Sequence, residues 1–216
     1  MTGACAGVVV RDLGRILVVD KPSGVLSEEI AATLELKLVH RLDRATSGLL
    51  VLAKDARTVQ RLQRAFREGR VARTYRLAAH GVVASGRLEA TLVRDRGDGL
   101  RGSGTGGKPA ALVVRTLCVA PDERASLCEV TLMTGRTHQI RIQLAEAGHP
   151  IVGERVYVRD FAAAGRPLLP CDRLLLHAER LVLPDPHSKQ DIVTEAAPGP
   201  GFQAAVAAYL TTSSPR

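Results

Sequence analysis

Aromatic side chains are scarce in this 216-residue chain, which contains three Tyr, three Phe and no Trp. Proteins that hold single-stranded nucleic acid on stacking platforms expose several aromatic rings along the strand. The composition therefore argues against that class of binder. Any base that stacks on this protein must do so on one or two rings.

Patterns typical of metal sites and disulfide frameworks are also missing. The cysteines show no C-x-x-C pair and no histidine partner at ligand spacing, and the six histidines show no H-x-x-x-H spacing. We therefore expect no metal site and no disulfide. Reduced, mostly buried thiols are expected at Cys5, Cys118, Cys128 and Cys171.

The chain has no long apolar run. No stretch approaches the about 18 apolar residues of a membrane span. The first seven residues lack the charged region and apolar core of a secretion signal. These absences predict a soluble, cytoplasmic protein that does not act at a membrane.

Positive charge is in excess. Lys and Arg number 30 against 22 Asp and Glu, which gives a net charge of +8 and a pI near 9.9. Basic domains of this kind often bind phosphate backbones, and Arg, which far outnumbers Lys here, suits phosphate oxygens and base stacking. Charge alone does not separate RNA from DNA or a membrane surface, and an Arg-rich codon bias explains the Arg content equally simply.

The pattern of apolar residues predicts a protein built mainly from strands. With 45% hydrophobic residues, the chain fits a single domain or two tightly joined lobes. A mobile loop is expected from Arg94 to Lys108, which is dense in Gly, Arg and Asp. Strands are predicted at Ile16 to Asp20, Gly48 to Ala53, Thr74 to His80, Leu112 to Val119 and Ser126 to Leu132.

Three helices are predicted. Asp55 is placed to cap a helix that runs through Gly69, with an apolar stripe at spacings of three and four residues. A second helix is expected from near Thr137 to Gly148, where Gly-His-Pro ends it, and a last one from Phe202 to Leu210.

One carboxylate stands between two arginines in the run H-R-L-D-R-A-T-S-G-L-L-V-L, which begins at His40. Because opposite charges nearby favour the ionised form, Asp43 between Arg41 and Arg44 is expected to stay charged and able to act as a nucleophile. Taken alone, the tetrapeptide R-L-D-R fits equally a turn Asp that caps local backbone N–H groups.

A second polar segment gives this run more weight. The sequence T-G-R-T-H-Q-I-R, from Thr134 to Arg141, concentrates Arg, Thr, His, Gln and Arg in six positions. Ordinary helix surfaces rarely need that mixture. His138 within it is as consistent with a hydrogen-bonded structural imidazole as with a catalytic one.

Together the two runs resemble the RluA family of RNA pseudouridine synthases, and most of all the RluA branch itself. The family carries its catalytic Asp in H-R-L-D-x-x-T-S-G and has T-G-R-T-H-Q-I-R beside it. The resemblance covers about Ile16 to Ala197, in the family's order, although Arg73, Gln143 and Glu154 stand where relatives usually have Lys, His and Asp. It extends to the segments K-P-S-G (from Lys21), R-T-Y (from Arg73), G-K-P-A (from Gly107), G-H-P-I-V-G (from Gly148) and L-L-L-H-A (from Leu174).

The resemblance implies isomerisation of uridine: the bond from N1 to the ribose breaks, the base rotates, and C5 joins the ribose, without a cofactor. Asp43 would act at C1′ as a nucleophile or assist proton removal at C2′. Arg136 would keep that carboxylate charged and aimed, and Tyr75 would stack on the base, a role that competes with simple core packing. Substrate contacts are implied for Arg41, Arg44, Thr46, His138, Arg141 and Leu176.

The resemblance also implies a fold and partners. The fold is α+β, with a mixed, mainly antiparallel sheet, flanking helices and loops, and an active site in a central cleft. Residues 1–216 would form one catalytic domain without a separate N-terminal RNA-binding domain, and 211–216 would be a flexible tail. The expected partner is RNA, either tRNA or ribosomal RNA, with no obligate protein partner.

Two rival functions remain open. A catalytically silent RNA-binding protein or RNA chaperone of the same fold would bind RNA in a salt-sensitive way without forming product. A hydrolase or lyase would use Asp43 with His138 or His177 as general acid and base. The second rival lacks a metal cluster, a G-x-S-x-G elbow or a phosphate-binding Gly loop in the sequence.

Overall fold

The computed structural model describes residues 7–185 and 190–211, so Cys5 and residues 212–216 of the predicted tail lie outside the described residues. The described elements, in chain order, are β1 (Val8–Asp12), β2 (Ile16–Lys21), α1 (Ser27–Thr33), β3 (Lys37–Leu38), β4 (Ser47–Ala53), α2 (Ala56–Arg67), β5 (Ala72–His80), β6 (Gly86–Val93), β7 (Gly102–Ser103), β8 (Lys108–Val119), β9 (Ala125–Leu132), α3 (Gln139–Glu146), α4 (Arg159–Ala163), β10 (Leu176–Pro184), β11 (Asp191–Glu195) and α5 (Pro200–Leu210).

The predicted fold class and all five predicted strands are confirmed. The strands pair mostly antiparallel, with a few flanking helices, as an α+β fold requires. The strands expected from the sequence correspond to β2, β4, β5, β8 and β9. Among the helices within residues 7–185 and 190–211, none is long and apolar enough to cross a membrane.

The chain divides into two compact units. The first unit comprises the described parts of residues 1–74 and 177–198, and the second comprises residues 75–176 with the described part of 199–216. The first unit therefore draws on two separate stretches of sequence.

Strand β4 is the centre of the first unit. It pairs antiparallel with β2 and β3 and parallel with β10. β1 extends the sheet beyond β2, and β11 extends it beyond β10, both antiparallel. All seven residues of β4 are buried, which explains why its sequence from Gly48 to Ala53 is continuously apolar instead of alternating.

Helix α2 packs on this sheet as its sequence predicts. The Asp55 carboxylate accepts a hydrogen bond from the Thr58 backbone N–H at 2.8 Å and so caps the first turn. Leu62 is buried in the core of the first unit, with Val59 and Phe66 packed against the same cluster. The helix ends at Arg67, two residues before the predicted end at Gly69, which takes a left-handed φ of 70°.

Strand β8 has the same central position in the second unit. It pairs antiparallel with β6 and β9, while β7 pairs with β6 and β5 lies next to β9. In β9, Cys128 and Val130 are buried and Glu129 and Thr131 are partly exposed, which is the alternation of a half-covered antiparallel strand. Ile142 of α3 packs on Leu92 of β6 and Ala110 of β8.

The expectation of mostly buried thiols is wrong for Cys118. Among the described cysteines, Cys118 is exposed, Cys171 is intermediate and Cys128 is buried; all three are free. The register between β8 and β9 shifts between Thr116 and Cys118, so Cys118 leaves the buried face of the strand. Burial raises the pKa of the Cys128 thiol to about 11.

The segment from Arg94 to Lys108, predicted as a loop, contains some regular structure. It contains β7, which pairs with the end of β6. Asp95 and Asp98 accept hydrogen bonds from the backbone N–H groups of Gly97, Gly99 and Leu100. The Asp and Gly residues of this segment do form turns, as the sequence predicts. The same residue types also form tight, hydrogen-bonded turns, so their abundance did not exclude regular structure.

A substitution at Gly48 tests the close packing of β4 against β10. Gly48 has a φ of 112°, and an added Cβ would lie 2.3 Å from the Ala178 carbonyl oxygen. We expect Gly48→Ala to lower the free energy of unfolding by roughly 3 kcal/mol, from steric overlap and backbone strain together. Urea denaturation of the purified variant measures this decrease.

The matched control is Gly69→Ala. Gly69 also has a left-handed φ, of 70°, but an added Cβ would have no neighbour within 4 Å. Only backbone strain remains, so a decrease of about 1 kcal/mol is expected. Equal decreases in the two variants would contradict the proposed clash between β4 and β10.

Candidate active site

The loop that carries Asp43 connects β3 to β4 and is fastened to the segment that follows β2. Lys21, the last residue of β2, is fully buried, and its ammonium group donates to the carbonyls of Pro22, Val25 and Arg44 at 2.8 to 3.2 Å. One buried charge therefore joins the two segments. Its protons are matched by carbonyl oxygens, as burial of an ammonium group requires.

Two serines continue this fastening. The Ser23 hydroxyl donates to the Ala45 carbonyl at 2.7 Å. The Ser27 hydroxyl donates to the Leu42 carbonyl and accepts from the Leu42 N–H, at 3.2 and 3.1 Å. Because these bonds fall on both sides of Asp43, the backbone on either side of the carboxylate is held in place.

His40 fixes the start of the loop. Its Nε2 accepts a hydrogen bond from the Val51 N–H at 3.0 Å, and its ring stacks on Phe66 with 4.8 Å between centroids. Loss of water around the imidazole lowers the pKa of His40, and the nearby Arg73 guanidinium lowers it further, to about 3. The ring is therefore neutral at pH 7, and its Nε2 serves as an acceptor.

The two arginines beside Asp43 make their contacts elsewhere. Arg41 forms an exposed ion pair with Glu28 at 3.1 Å, and the Arg44 Nε donates to the Gly24 carbonyl at 2.8 Å. The sequence-based expectation that these two cations flank the Asp43 carboxylate is therefore wrong for their contacts. The Thr46 N–H donates to the Asp43 carbonyl at 3.0 Å and closes a turn at this point of the loop.

His177 is buried next to the start of β4. Its Nε2 lies 2.9 Å from the Ala196 carbonyl oxygen, which can only accept, so Nε2 carries the proton. Its Nδ1 then accepts from the Ser47 hydroxyl at 2.9 Å. Both ring nitrogens have structural partners, which argues against His177 as the general acid or base of a hydrolase.

Arg136 in the second unit is positioned mainly by Gln139. The Gln139 side-chain oxygen accepts from the Arg136 N–H at 3.0 Å, and the Gln139 N–H donates to the Arg136 carbonyl at 3.1 Å. The Arg136 Nε donates to the Pro109 carbonyl at 2.9 Å, and the residue as a whole is exposed. Both the backbone and the guanidinium of Arg136 are therefore oriented by neighbours.

His138 caps α3 in a strained conformation. Its φ of 57° lies in the left-handed region, which residues other than Gly rarely adopt. His138 Nδ1 and the Tyr157 hydroxyl lie 2.7 Å apart, at hydrogen-bond distance. This contact holds the strained residue two positions after Arg136.

Arg141 is buried in an ion pair with Glu154. Its Nε and Nη2 donate to the two carboxylate oxygens at 2.7 and 2.8 Å, and its guanidinium lies over the Tyr157 ring at 5.3 Å. Burial alone would raise the pKa of Glu154, but Arg141 and backbone N–H groups, including that of Val156, outweigh burial and lower it. These contacts favour a structural role for Arg141 over the predicted contact with substrate.

The last two predicted site residues lie on strands. Tyr75 on β5 is 7% exposed, and Leu176, the first residue of β10, is 3% exposed. Such burial fits core packing as well as the predicted pocket roles, so both roles stay predictions.

Sequence reasoning missed the contributions of Lys21, Gln139 and Tyr157. Lys21 and Gln139 did have a signal in the sequence, since they belong to the K-P-S-G and T-G-R-T-H-Q-I-R segments.

The chain matches known proteins along most of its length. A family model described as RNA pseudouridylate synthase matches residues 15–146. Ribosomal large subunit pseudouridine synthase D of Neisseria meningitidis serogroup B is 38% identical over 177 residues, which are 74% of this chain and 44% of that protein. The dual-specificity RNA pseudouridine synthase RluA of Escherichia coli K12 is 35% identical over 189 residues, 79% and 84% of the two chains.

The match to the first of these relatives is partial, since this chain spans less than half of that protein's length. The fold is also found in a solved human structure, RNA Pseudouridylate Synthase Domain Containing 4. That chain superposes with a TM-score of 0.77 at 21% sequence identity, covering 96% of this chain and 94% of the other.

The lowered pKa of His40 predicts a pH dependence of stability. Between pH 6.5 and about 3 the unfolded chain binds a proton at this histidine that the folded chain does not bind. His40 therefore contributes full stability above pH 6.5, and that contribution falls as the pH drops, by at most about 1.4 kcal/mol per pH unit. Urea denaturation between pH 7.5 and 4.5 measures the slope.

The comparison variant is His40→Gln, which lacks the titrating group. We expect its free energy of unfolding to be lower at pH 7.5 but to fall less steeply on acidification than that of the wild type. Carboxylates titrate in both proteins, so the difference between the two slopes isolates His40. Parallel slopes would show that His40 titrates alike in the folded and unfolded chains.

Proposed function

Because the chain belongs to the RluA family of RNA pseudouridine synthases, we propose that it isomerises uridine in structured RNA to pseudouridine. The observation that carries this proposal is the fastening of the Asp43 loop. The carboxylate lies in a segment whose backbone is bonded on both sides to Lys21 and Ser27. A group that must meet a ribose carbon in one orientation benefits from such preorganisation.

We assign the reaction to Asp43. The C1′–N1 bond breaks, the base rotates, and C5 bonds to C1′; the C5 proton leaves and N1 gains a proton, so the product is an isomer of the substrate. An ionised carboxylate serves this either as a nucleophile at C1′ or by assisting proton removal at C2′. Neither route requires a cofactor.

The family resemblance assigns the remaining roles. Arg136 is the cation that acts on the reacting carboxylate, and its fixed backbone and Nε contact support a role that depends on orientation. Tyr75 stacks on the base, with Leu176 as an apolar contact. Arg41, whose side chain is exposed, takes the place of the flipped nucleotide or binds a phosphate. Further substrate contacts are proposed for Arg44, Thr46 and His138.

Ribosomal RNA or tRNA is the proposed substrate. Support comes from two relatives, of which one is named for the large ribosomal subunit and the other for dual RNA specificity. The net charge of +8 suits either polyanion.

We expect Asp43→Asn to abolish turnover and largely preserve RNA binding, because the substitution removes the charge at nearly constant shape. The assay is tritium release from RNA transcribed with uridine labelled at C5, supplied as total tRNA and as ribosomal RNA. Release by the wild type alone supports pseudouridine formation and identifies the RNA class.

Glu28→Gln is the control for this variant. Glu28 is the carboxylate that pairs with Arg41, so its substitution removes one charge near the same loop without touching Asp43. Turnover should persist in Glu28→Gln. Normal turnover by Asp43→Asn would remove the assignment, and RNA binding by a wild-type protein that releases no tritium would favour the catalytically silent RNA-binding protein.

Tyr75 is tested with two substitutions. If its hydroxyl takes part in proton transfer, Tyr75→Phe should lower kcat more than it weakens RNA binding, whereas Tyr75→Ala should impair both. Activity of Tyr75→Phe equal to that of the wild type, with impaired activity in Tyr75→Ala, would restrict the ring to stacking. Because Tyr75 is buried, thermal unfolding of both variants must be compared with the wild type before the kinetics are interpreted.

A further inference from the structure

The segment 94–108, which joins β6 to β8, is termed here the basic hairpin. Its turn is closed by the Arg96 N–H, which donates to the Leu100 carbonyl at 2.8 Å. On the way back to β8 the chain forms β7, whose Ser103 and Gly102 pair with Leu92 and Val93. The inference drawn from this hairpin rests on the proposed function, since it concerns how the same RNA is held.

The carboxylates of the basic hairpin are already engaged. Asp95 accepts from the N–H groups of Gly97 and Gly99 at 2.8 and 2.9 Å. Asp98 accepts from the Leu100 N–H at 3.0 Å and forms ion pairs with Arg96 and Arg159. These two acidic groups therefore have partners other than the remaining cations of the hairpin.

Ion pairs and hydrogen bonds also fasten the hairpin to two helices. Arg96 pairs with Asp160 of α4 at 3.0 Å. Glu146 of α3 accepts from the Ser103 N–H at 2.8 Å and from the Ser103 hydroxyl at 2.6 Å. Side chains on the hairpin are therefore presented from a supported backbone, which reduces the entropic cost of binding a ligand.

Three cations of the basic hairpin have no carboxylate partner in the described part of the chain. Throughout residues 7–185 and 190–211, no carboxylate lies within ion-pair distance of Arg94, Arg101 or Lys108. Arg94 directly follows β6 and Arg101 directly precedes β7, so both lie at the end of the β6–β7 ladder. Like charges at the same end of a ladder repel each other, and a bound anion would relieve that repulsion.

Lys108 is the residue before a contact of Arg136. Lys108 is paired with Leu92, two residues before Arg94. The next residue, Pro109, accepts the hydrogen bond from the Arg136 Nε at 2.9 Å. The pairing of β6 with β7 and β8 thus connects the segment that contacts Arg136 with the end of the β6–β7 ladder, where Arg94 and Arg101 lie.

We propose that Arg94, Arg101 and Lys108 bind consecutive phosphates of the substrate RNA, outside the residues that take part in the reaction. Arginine forks match phosphate oxygens geometrically, and a row of unpaired cations suits a polyanionic chain. A protein partner is less well matched. None of the large hydrophobic side chains exposed in the described parts of the chain lies in the basic hairpin.

The test is the salt dependence of RNA binding by Arg94→Gln/Arg101→Gln. Binding of unfractionated tRNA is measured by filter retention between 50 and 300 mM KCl. Removing one phosphate-binding cation lowers the slope of log K against log salt concentration by about one, so the slope should decrease in magnitude by about two. In the tritium assay, KM should rise and kcat should stay unchanged.

The matched control is Arg87→Gln/Arg115→Gln. Both arginines lie on β6 and β8 of the same unit and are exposed, but they pair with Glu89 and Glu129 at 2.6 and 2.9 Å. The net charge changes by the same amount, so a general charge effect would alter both double variants equally. Equal slopes in the two double variants, or wild-type binding of tRNA that does not respond to salt, would overturn the proposal.

The test of the basic hairpin and the test of the proposed isomerase activity can fail independently of each other. The slope is measured by binding and needs no turnover. A reduced slope in Arg94→Gln/Arg101→Gln alone, with no tritium release by the wild type, would support the hairpin as an RNA-binding element and reject the isomerase. Normal tritium release with equal slopes would reject the hairpin and leave the isomerase standing.

Discussion

The buried ammonium group of Lys21 is the interaction on which the geometry around Asp43 depends. A charged amine removed from water is strongly unfavourable unless its protons find acceptors. Here the acceptors are backbone carbonyls of the segment after β2 and of the Asp43 loop. Satisfying one charge therefore forces two loops together, and the bonds from Ser23 and Ser27 follow from that approach.

In the second unit, a side-chain amide holds the backbone of Arg136 as Lys21 holds that of the Asp43 loop. Gln139 engages both backbone groups of Arg136, while the Tyr157 hydroxyl holds His138 in its left-handed conformation. Glu154 neutralises Arg141 beneath the Tyr157 ring. In each unit, polar side chains with no proposed chemical role hold, through hydrogen bonds, the backbone of a residue proposed to react.

Local signals in the sequence were sufficient for most of the fold. The Asp55 cap, the apolar run of β4 and the alternation in β9 each reflect contacts within a few residues or a uniform burial environment. Partners of charged groups were not predictable in this way. Arg41 pairs with Glu28 and Arg44 with a carbonyl, because their directions depend on how distant segments approach. The motif resemblance identified the Asp43 loop, but not what supports it.

The parallel pairing of β4 with β10 has a consequence for how the chain acquires its structure. Ser47 and His177, bonded to each other in the first unit, are 130 residues apart in sequence. Contacts of such high sequence separation slow folding, because a long loop must close before they form. During synthesis on the ribosome, β2 and β4 emerge well before β10. The edge of the apolar strand β4 that pairs with β10 is therefore exposed, and prone to aggregation, until most of the protein has been synthesised.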